Sequence, residues 1–269
     1  MLQELTTVRG EALTGTPWTV YPRPRMKRDS YLNLNGTWDL SAGDPERVFA
    51  IQVPFCPESA LSGVKEHFAK GTILTYRRRF ALPEGFNRGK VLLHIGAADQ
   101  HAMVYVNQRL MGQHDGGYEA FIVDITDALQ IENELKILCW DDLNDQKQPY
   151  GKQVLPQKRG GMWYTPVSGI WQTVWLESVP ETYIEKLTIE NRGYSVTIST
   201  VPALNGFVKV KGLGDFALEN GSVTITPEDP KLWSPEDPYL YNFTLEAGAD
   251  KVESYFAIRS LEIKKVGDY

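Results

Sequence analysis

The chain has 269 residues and a formal net charge of −6, so one large or two medium domains fit its length. Hydrophobic residues make up 42% and charged residues 23%, enough to bury a core and too balanced for a disordered chain. The acidic excess argues against nucleic acid as a main partner, because phosphate-binding surfaces carry a basic excess.

The first residues, MLQELTTVRGEALTG, lack the apolar stretch of a signal peptide. No apolar run approaches the roughly 18 residues of a membrane span. A cytoplasmic protein is expected, or an exported one whose signal has been removed. ESALSGVKEHFAK (58–70) has room for a helical turn or two. Arg77, Arg78 and Arg79 sit in an apolar frame and read as a strand with alternate residues exposed. Next come LLHIGA (92–97), MVYVNQRLMG (103–112), FIVDIT (121–126) and LKILCW (135–140), with turn signals between them. WQTVWLESV (171–179) alternates, placing Trp171, Thr173 and Trp175 on one face and Gln172, Val174 and Leu176 on the other. TYIEKLTIE (182–190), YSVTIST (194–200), GFVKVKG (206–212), SVTIT (222–226), LYNFTLEA (240–247) and VESYFAIRSLEI (252–263) complete the series. Short strands rich in Val, Ile, Thr, Tyr and Trp, spaced by Gly, Asn, Asp and Pro, define an all-β protein of sandwiches or barrels.

A boundary near Pro180 divides the chain best. Residues 1–180 are aromatic and loop-rich and fit an eight-stranded jelly roll. Residues 181–265 have the size and strand number of an immunoglobulin-like sandwich. The segment 141–161 is long for a loop, which points to binding or covering something. The last strand runs into KKVGDY without a closing element, and residues 266–269 read as the start of a further domain.

Catalytic signatures are missing. There is no G-x-G-x-x-G, Walker, H-E-x-x-H or C-x-x-C sequence, and PVSGI (166–170) lacks a nucleophile elbow. Cys56 and Cys139 fit buried free thiols better than a disulfide. His67, His94, His101 and His114 lack metal-ligand spacing, although His94 and His101 lie on successive strands where their side chains could meet. No metal or other cofactor is called for. Asp99, Asp115, Asp124 and Asp127 fall where Asp commonly starts turns. Asp141 and Asp142 open the long loop and are expected to order it. Trp163 and Tyr164, where that loop returns to a strand, suit either the faces of sugar rings or packing between domains. Trp38, Trp171, Trp175 and Trp233 are expected in cores.

Several strings together resemble the N-terminal half of family 2 glycoside hydrolases, the β-galactosidases, β-glucuronidases and β-mannosidases. They are RDSYLNLNGTWDL (28–40), VPFCPESALSG (53–63), LTYRRRF (74–80) and HIGAADQHAMVYVNQRLMGQHDGGYEAFIVDIT (94–126), followed by SGIWQTVWLE (168–177), LWSPEDPYLY (232–241) and FAIRSLEI (256–263). The resemblance covers residues 20–265 in order. It implies a sugar-binding jelly roll, an immunoglobulin-like domain and, in the parent protein, a (β/α)₈ barrel carrying both catalytic glutamates of a retaining mechanism. This chain stops where that barrel would begin, so no catalytic residue is expected in it.

The resemblance also implies a jelly-roll loop reaching the barrel's active site. Well-known β-galactosidases carry a sugar-contacting aspartate just before the Met-Trp pair; this chain has Gly161, Met162 and Trp163 there. PYGKQ (149–153) resembles a run in relatives labelled β-galactosidase. Trp163, Tyr164, Asp142 and Gln153 are the expected sugar-binding residues, with carbohydrate and the barrel as partners and a homo-oligomeric parent compatible. A β-galactosidase fragment is thus the leading reading. A free-standing carbohydrate-binding module and a structural tandem of sandwiches are the alternatives. The 141–164 loop is expected to be partly disordered without its barrel.

Overall fold

The computed structural model describes residues 7–43, 45–69, 71–142, 147–149, 151–153, 161–260 and 267. Contacts divide the chain into two compact units. One holds Ser30–Ser178 with the residues up to Val20, and the other holds Val179 onward together with Tyr21–Asp29.

The first unit contains β1 (Leu32–Asn33), β2 (Gly36–Ala42), β3 (Arg47–Val53), β4 (Leu74–Phe80), β5 (Lys90–Ile95), β6 (Ala98–Asp99) and β7 (His101–Val106). It continues with β8 (Arg109–Asp115), β9 (Phe121–Asp124), β10 (Asn133–Trp140), β11 (Gly169–Ile170) and β12 (Val174–Val179). A four-stranded sheet runs β1-β12-β5-β9 and a six-stranded sheet β3-β2-β4-β10-β7-β8, with a small β11-β6 pair at one end. This is the two-sheet sandwich of a jelly roll. Its core comes from inward residues of both sheets, among them Trp38, Leu40, Ile51, Tyr76, Leu93, Ile95, Val104, Ile137 and Leu176. Burying that apolar surface is the main stabilising contribution. The Trp38 indole N–H, carried into the core, donates to the Leu34 carbonyl at 2.7 Å.

The β7–β8 hairpin turns at Asn107 and Gln108, whose φ angles of 49° and 67° match a primed turn that follows strand twist. Asn107 Nδ2 donates to the Ala128 carbonyl (2.8 Å) and Asn133 Oδ1 (2.9 Å), and its Oδ1 accepts the Glu134 amide (2.9 Å). One asparagine thereby ties the hairpin to the start of β10.

The second unit contains β13 (Lys186–Arg192), β14 (Ser195–Val201), β15 (Gly206–Val210), β16 (Gly214–Leu218), β17 (Ser222–Ile225), β18 (Tyr241–Ala247) and β19 (Asp250–Phe256). They form a three-stranded sheet, β13-β14-β17, and a four-stranded sheet, β16-β15-β18-β19. Seven strands in two sheets give an immunoglobulin-like sandwich. Its core includes Val196, Ile198, Val208, Phe243, Leu245, Val252 and Phe256. Met26 joins that core, and Lys27 exchanges both backbone hydrogen bonds with Glu253 of β19, at 2.9 and 2.8 Å. Residues 21–29, which the sequence reading assigns to the first domain, therefore pack with the second.

The structure refines several local readings. The described part of the 58–70 stretch holds one short helical turn, the 3₁₀ turn Ala60–Ser62 ended by left-handed Gly63, as the sequence allows. In 171–179 the strand begins at Val174, and all six of its residues are buried. One face lines the core; on the other, His94 stacks on Trp175 at 3.9 Å and bonds Glu177 at 3.0 Å, which hides the expected alternation. His94 and His101 lie in different sheets and engage different partners. Trp38 and Trp175 are buried as expected, whereas Trp171 and Trp233 are only half-buried. Of the three arginines, Arg79 alone is exposed; Arg77 bonds Ser41, and Arg78 turns over the Trp38 ring. The 266–269 segment lies outside the described residues except for Gly267.

Candidate functional site

Segments distant in sequence converge at the β6–β11 end of the jelly roll. Asp99 ends β6 opposite Gly169 of β11. The turn after β8 brings Gly117 so close that a Cβ there would collide with the Asp99 carboxylate. The Trp171 indole N–H donates to the Gly117 carbonyl at 2.8 Å and holds this turn in place.

Gln153 connects these parts. Its side-chain nitrogen donates to Asp99 Oδ2 and to the Tyr118 hydroxyl, both at 3.2 Å, and its oxygen accepts the Val167 amide. Glu58, from the 3₁₀ region, accepts both the hydroxyl and the amide of Ser168. Asp141 accepts from Gln148 at 2.7 Å, and the same Gln148 nitrogen reaches the Asp142 carbonyl at 2.9 Å. His101 stacks on Trp140 and lies 2.6 Å from Asp115.

Burial dominates the electrostatics. It pushes the Asp99 carboxyl up to about 7; the Gln153 bond opposes this, and the neighbouring Asp141 and Glu58 carboxylates add to it. Burial also raises Glu58 against its Ser168 bond, and raises Asp141 against its Gln148 bond. Among the described residues, no group of His, Cys, Asp and Glu side chains could hold a metal ion. No helix there is long and apolar enough to cross a membrane.

Trp163 and Tyr164 are exposed, at 43% and 61%, beside Met162 at 65%. Gly161 precedes them with φ 61°, a left-handed turn that suits glycine. The Tyr164 amide donates to the Lys152 carbonyl at 3.0 Å, and Tyr164 bridges Gln153 in parallel. The structure thus joins Gln153 to the Trp163–Tyr164 segment, while Asp142 is held by Gln148. Gln153 is only 7% exposed, and its amide is spent on internal bonds, so it organises the segment instead of facing solvent. Residues 143–146, 150 and 154–160, on which part of the disorder expectation falls, lie outside the described residues.

Asp99, Glu58, Ser168, Tyr118 and Trp171 carry no local sequence signal that marks them as site residues. Asp99 has the local signature of a turn former, which conceals its burial. All five lie within strings of the family resemblance, the one signal in the sequence that marks them.

Two consecutive β-sandwiches, the first carrying the exposed Trp163–Tyr164 pair, define a two-unit all-β protein. Residues 58–162 match the glycosyl hydrolase 2 galactose-binding domain-like model, and residues 177–259 match the model of glycosyl hydrolases family 2. The chain belongs to glycoside hydrolase family 2. It is 25% identical over 222 residues to a β-galactosidase of Thermoanaerobacter pseudethanolicus, covering 72% of this chain and 29% of that protein. It is 28% identical over 199 residues to a β-glucuronidase of Paenibacillus borealis, covering 64% and 32%. Among solved structures, the Faecalibacterium prausnitzii β-glucuronidase superposes with TM-score 0.69 at 24% identity, covering 91% of this chain and 48% of that one. A Ruminococcus gnavus β-glucuronidase in complex with D-glucuronic acid gives 0.67 at 18% identity, covering 94% and 49%. The chain therefore spans 29% and 32% of these two curated relatives, and about half of the solved structures.

Proposed function

We propose that this chain is the non-catalytic N-terminal portion of a retaining β-glycosidase acting on β-galactosides or β-glucuronides. The relatives' names include both activities, and a β-galactosidase is the finer reading from the sequence. The observation that carries the proposal is the Trp163–Tyr164 ledge: two exposed aromatics fastened by a buried glutamine at one end of the jelly roll. Aromatic faces match the C–H faces of sugar rings, and such a ledge binds or orients sugar without supplying acid or nucleophile. The two carboxylates of a retaining mechanism must flank an accessible glycosidic bond. Glu58 and Asp99 are instead turned into internal hydrogen bonds.

The test compares this chain with the protein encoded by its full reading frame, on nitrophenyl β-galactoside and β-glucuronide. The chain alone is expected to hydrolyse neither, and the full protein one of them. Turnover by the chain alone would overturn the reading. The exposed ledge also favours a second reading, a free-standing carbohydrate-binding module. Millimolar or tighter binding of galactose or glucuronate by the chain in calorimetric titration would support it.

A further inference from the structure

We propose that Asp99 and Gln153 form a proton-controlled latch that sets the position of the Trp163–Tyr164 ledge. The inference rests on the ledge being the sugar-facing part of this unit.

The mechanical part is visible in the bonds. The ledge touches the 151–153 segment through the Tyr164 amide and the Tyr164–Gln153 bridge. That segment is fastened to the sandwich by the Gln153 side chain, which reaches β6 through Asp99, the Gly116–Gly117 turn through Tyr118, and the segment leading into β11 through Val167. Among the described residues, the Gln153 side chain links the ledge to three separate parts of the sandwich. Gly151 lies so close to the Tyr118 ring that a Cβ there would strike its hydroxyl, so seating also demands a bare backbone at that point.

The switching part follows from what surrounds Asp99. Asp99 is 4% exposed. It faces the Glu58 carboxylate from the 3₁₀ region, Asp141 after β10, His101 at the start of β7, the Cys139 thiol of β10 and the Gln153 amide. Burial and two carboxylates disfavour an ionised Asp99; among the described residues, Gln153 and His101 oppose them. A seated ledge therefore prefers the protonated acid, and opening, which wets Asp99, prefers the anion. Seating weakens as pH rises, by up to about tenfold per pH unit between the ordinary aspartate range and about 7. Above that range Asp99 is ionised in both states and the dependence levels off.

Hydrogen exchange on the chain tests this without any sugar. The reporters are the Tyr164 and Val167 amides, both hydrogen-bonded when the ledge is seated. After correction for intrinsic exchange, their protection is expected to fall between pH 5 and pH 7.5. Amides of β4 and β10 serve as references that hold steady. Asp99→Asn, neutral at every pH, is expected to keep protection and to flatten its pH dependence relative to the parent chain. Gln153→Leu is expected to lose protection at Val167 at all pH values while the references remain. A pH dependence in Asp99→Asn as steep as that of the parent chain overturns the proposal, as does full Val167 protection in Gln153→Leu. Glu58 and Asp141 titrate in both proteins, so the difference between the two profiles is what reads Asp99. Should Asp99→Asn fail to fold, as judged by the β4 and β10 amides, the parent chain's own pH profile and the Gln153→Leu result decide: protection at Tyr164 and Val167 that does not fall between pH 5 and pH 7.5 overturns the proposal. Sugar-binding failure leaves these readouts untouched, so the two ideas fall separately.

Discussion

The Arg28 guanidinium and the Asp250 carboxylate, far apart in sequence, form a buried fork in the second unit, with Nε–Oδ1 2.9 Å and Nη2–Oδ2 2.7 Å. Their side chains are 3% and 2% exposed. Asp250 also accepts the Ile184 amide at 2.8 Å, and Arg28 donates to the Ile184 carbonyl at 2.8 Å. Breaking one side leaves the other charge buried without its partner, which costs about 3–5 kcal/mol. Asp250→Ala is expected to lower stability by that amount in urea unfolding. The double change Arg28→Met with Asp250→Leu, which removes both charges, is expected to cost clearly less. Equal losses in the two variants would show that the pair's charge is not what matters.

Gly117 makes a second, steric prediction. A methyl group there meets the Asp99 carboxylate, which is itself held by Gln153 and packed under the turn. Overpacking a tight site costs typically about 1–3 kcal/mol. Gly117→Ala is expected to lose stability on that scale and to disturb the Trp171–Gly117 bond. Its indole amide resonance in an NMR spectrum reports the second effect. An unmoved Trp171 signal with unchanged stability would mean the turn yields freely.

The strands were legible because each carries its own pattern: alternate burial in β10 and β14 follows directly from the side-chain period of two. In β12 that pattern is lost, since burial on its second face comes from His94 on another strand. The placement of residues 21–29 was also out of reach, because Lys27 finds its backbone partner in Glu253. The candidate site was half legible. Trp163 and Tyr164 announce themselves as aromatics where a long loop returns to the sandwich. Asp99 does not, because its burial is created by Gly117, Gln153 and Gly169, which the fold alone brings together.

The two cysteines give a chemical prediction. Cys139 is fully buried on β10, and burial drives its thiol far above the ordinary range. Cys56 is pushed up to about 12, by burial first and then by the neighbouring Glu58 carboxylate. Thiolates, not thiols, react with disulfide reagents. Neither cysteine is expected to react with a chromogenic disulfide at pH 8 in the folded chain, and both should react on unfolding. Rapid labelling of Cys56 in native buffer would contradict its described surroundings.

The pH dependence of global stability follows from Asp99, with a sign opposite to the usual salt-bridged aspartate. Its folded-state pKa, about 7, lies above the unfolded value of 3.8. The folded chain therefore holds a proton that the unfolded chain has already released. The resulting stability is fully present below the unfolded value and is lost as pH rises to about 7. The whole swing is on the order of 4 kcal/mol, since the shift spans about three pKa units and each is worth about 1.4 kcal/mol. Asp99→Asn removes this proton, so its stability relative to the parent chain should climb between pH 4 and pH 7 and then stay level. The raised Glu58 and Asp141 remain in both proteins, so the difference between the two curves, not either curve alone, isolates Asp99. Urea midpoints at half-unit pH steps give that difference. Two parallel curves would show that Asp99 titrates alike in folded and unfolded chains, and that its burial is relieved in solution.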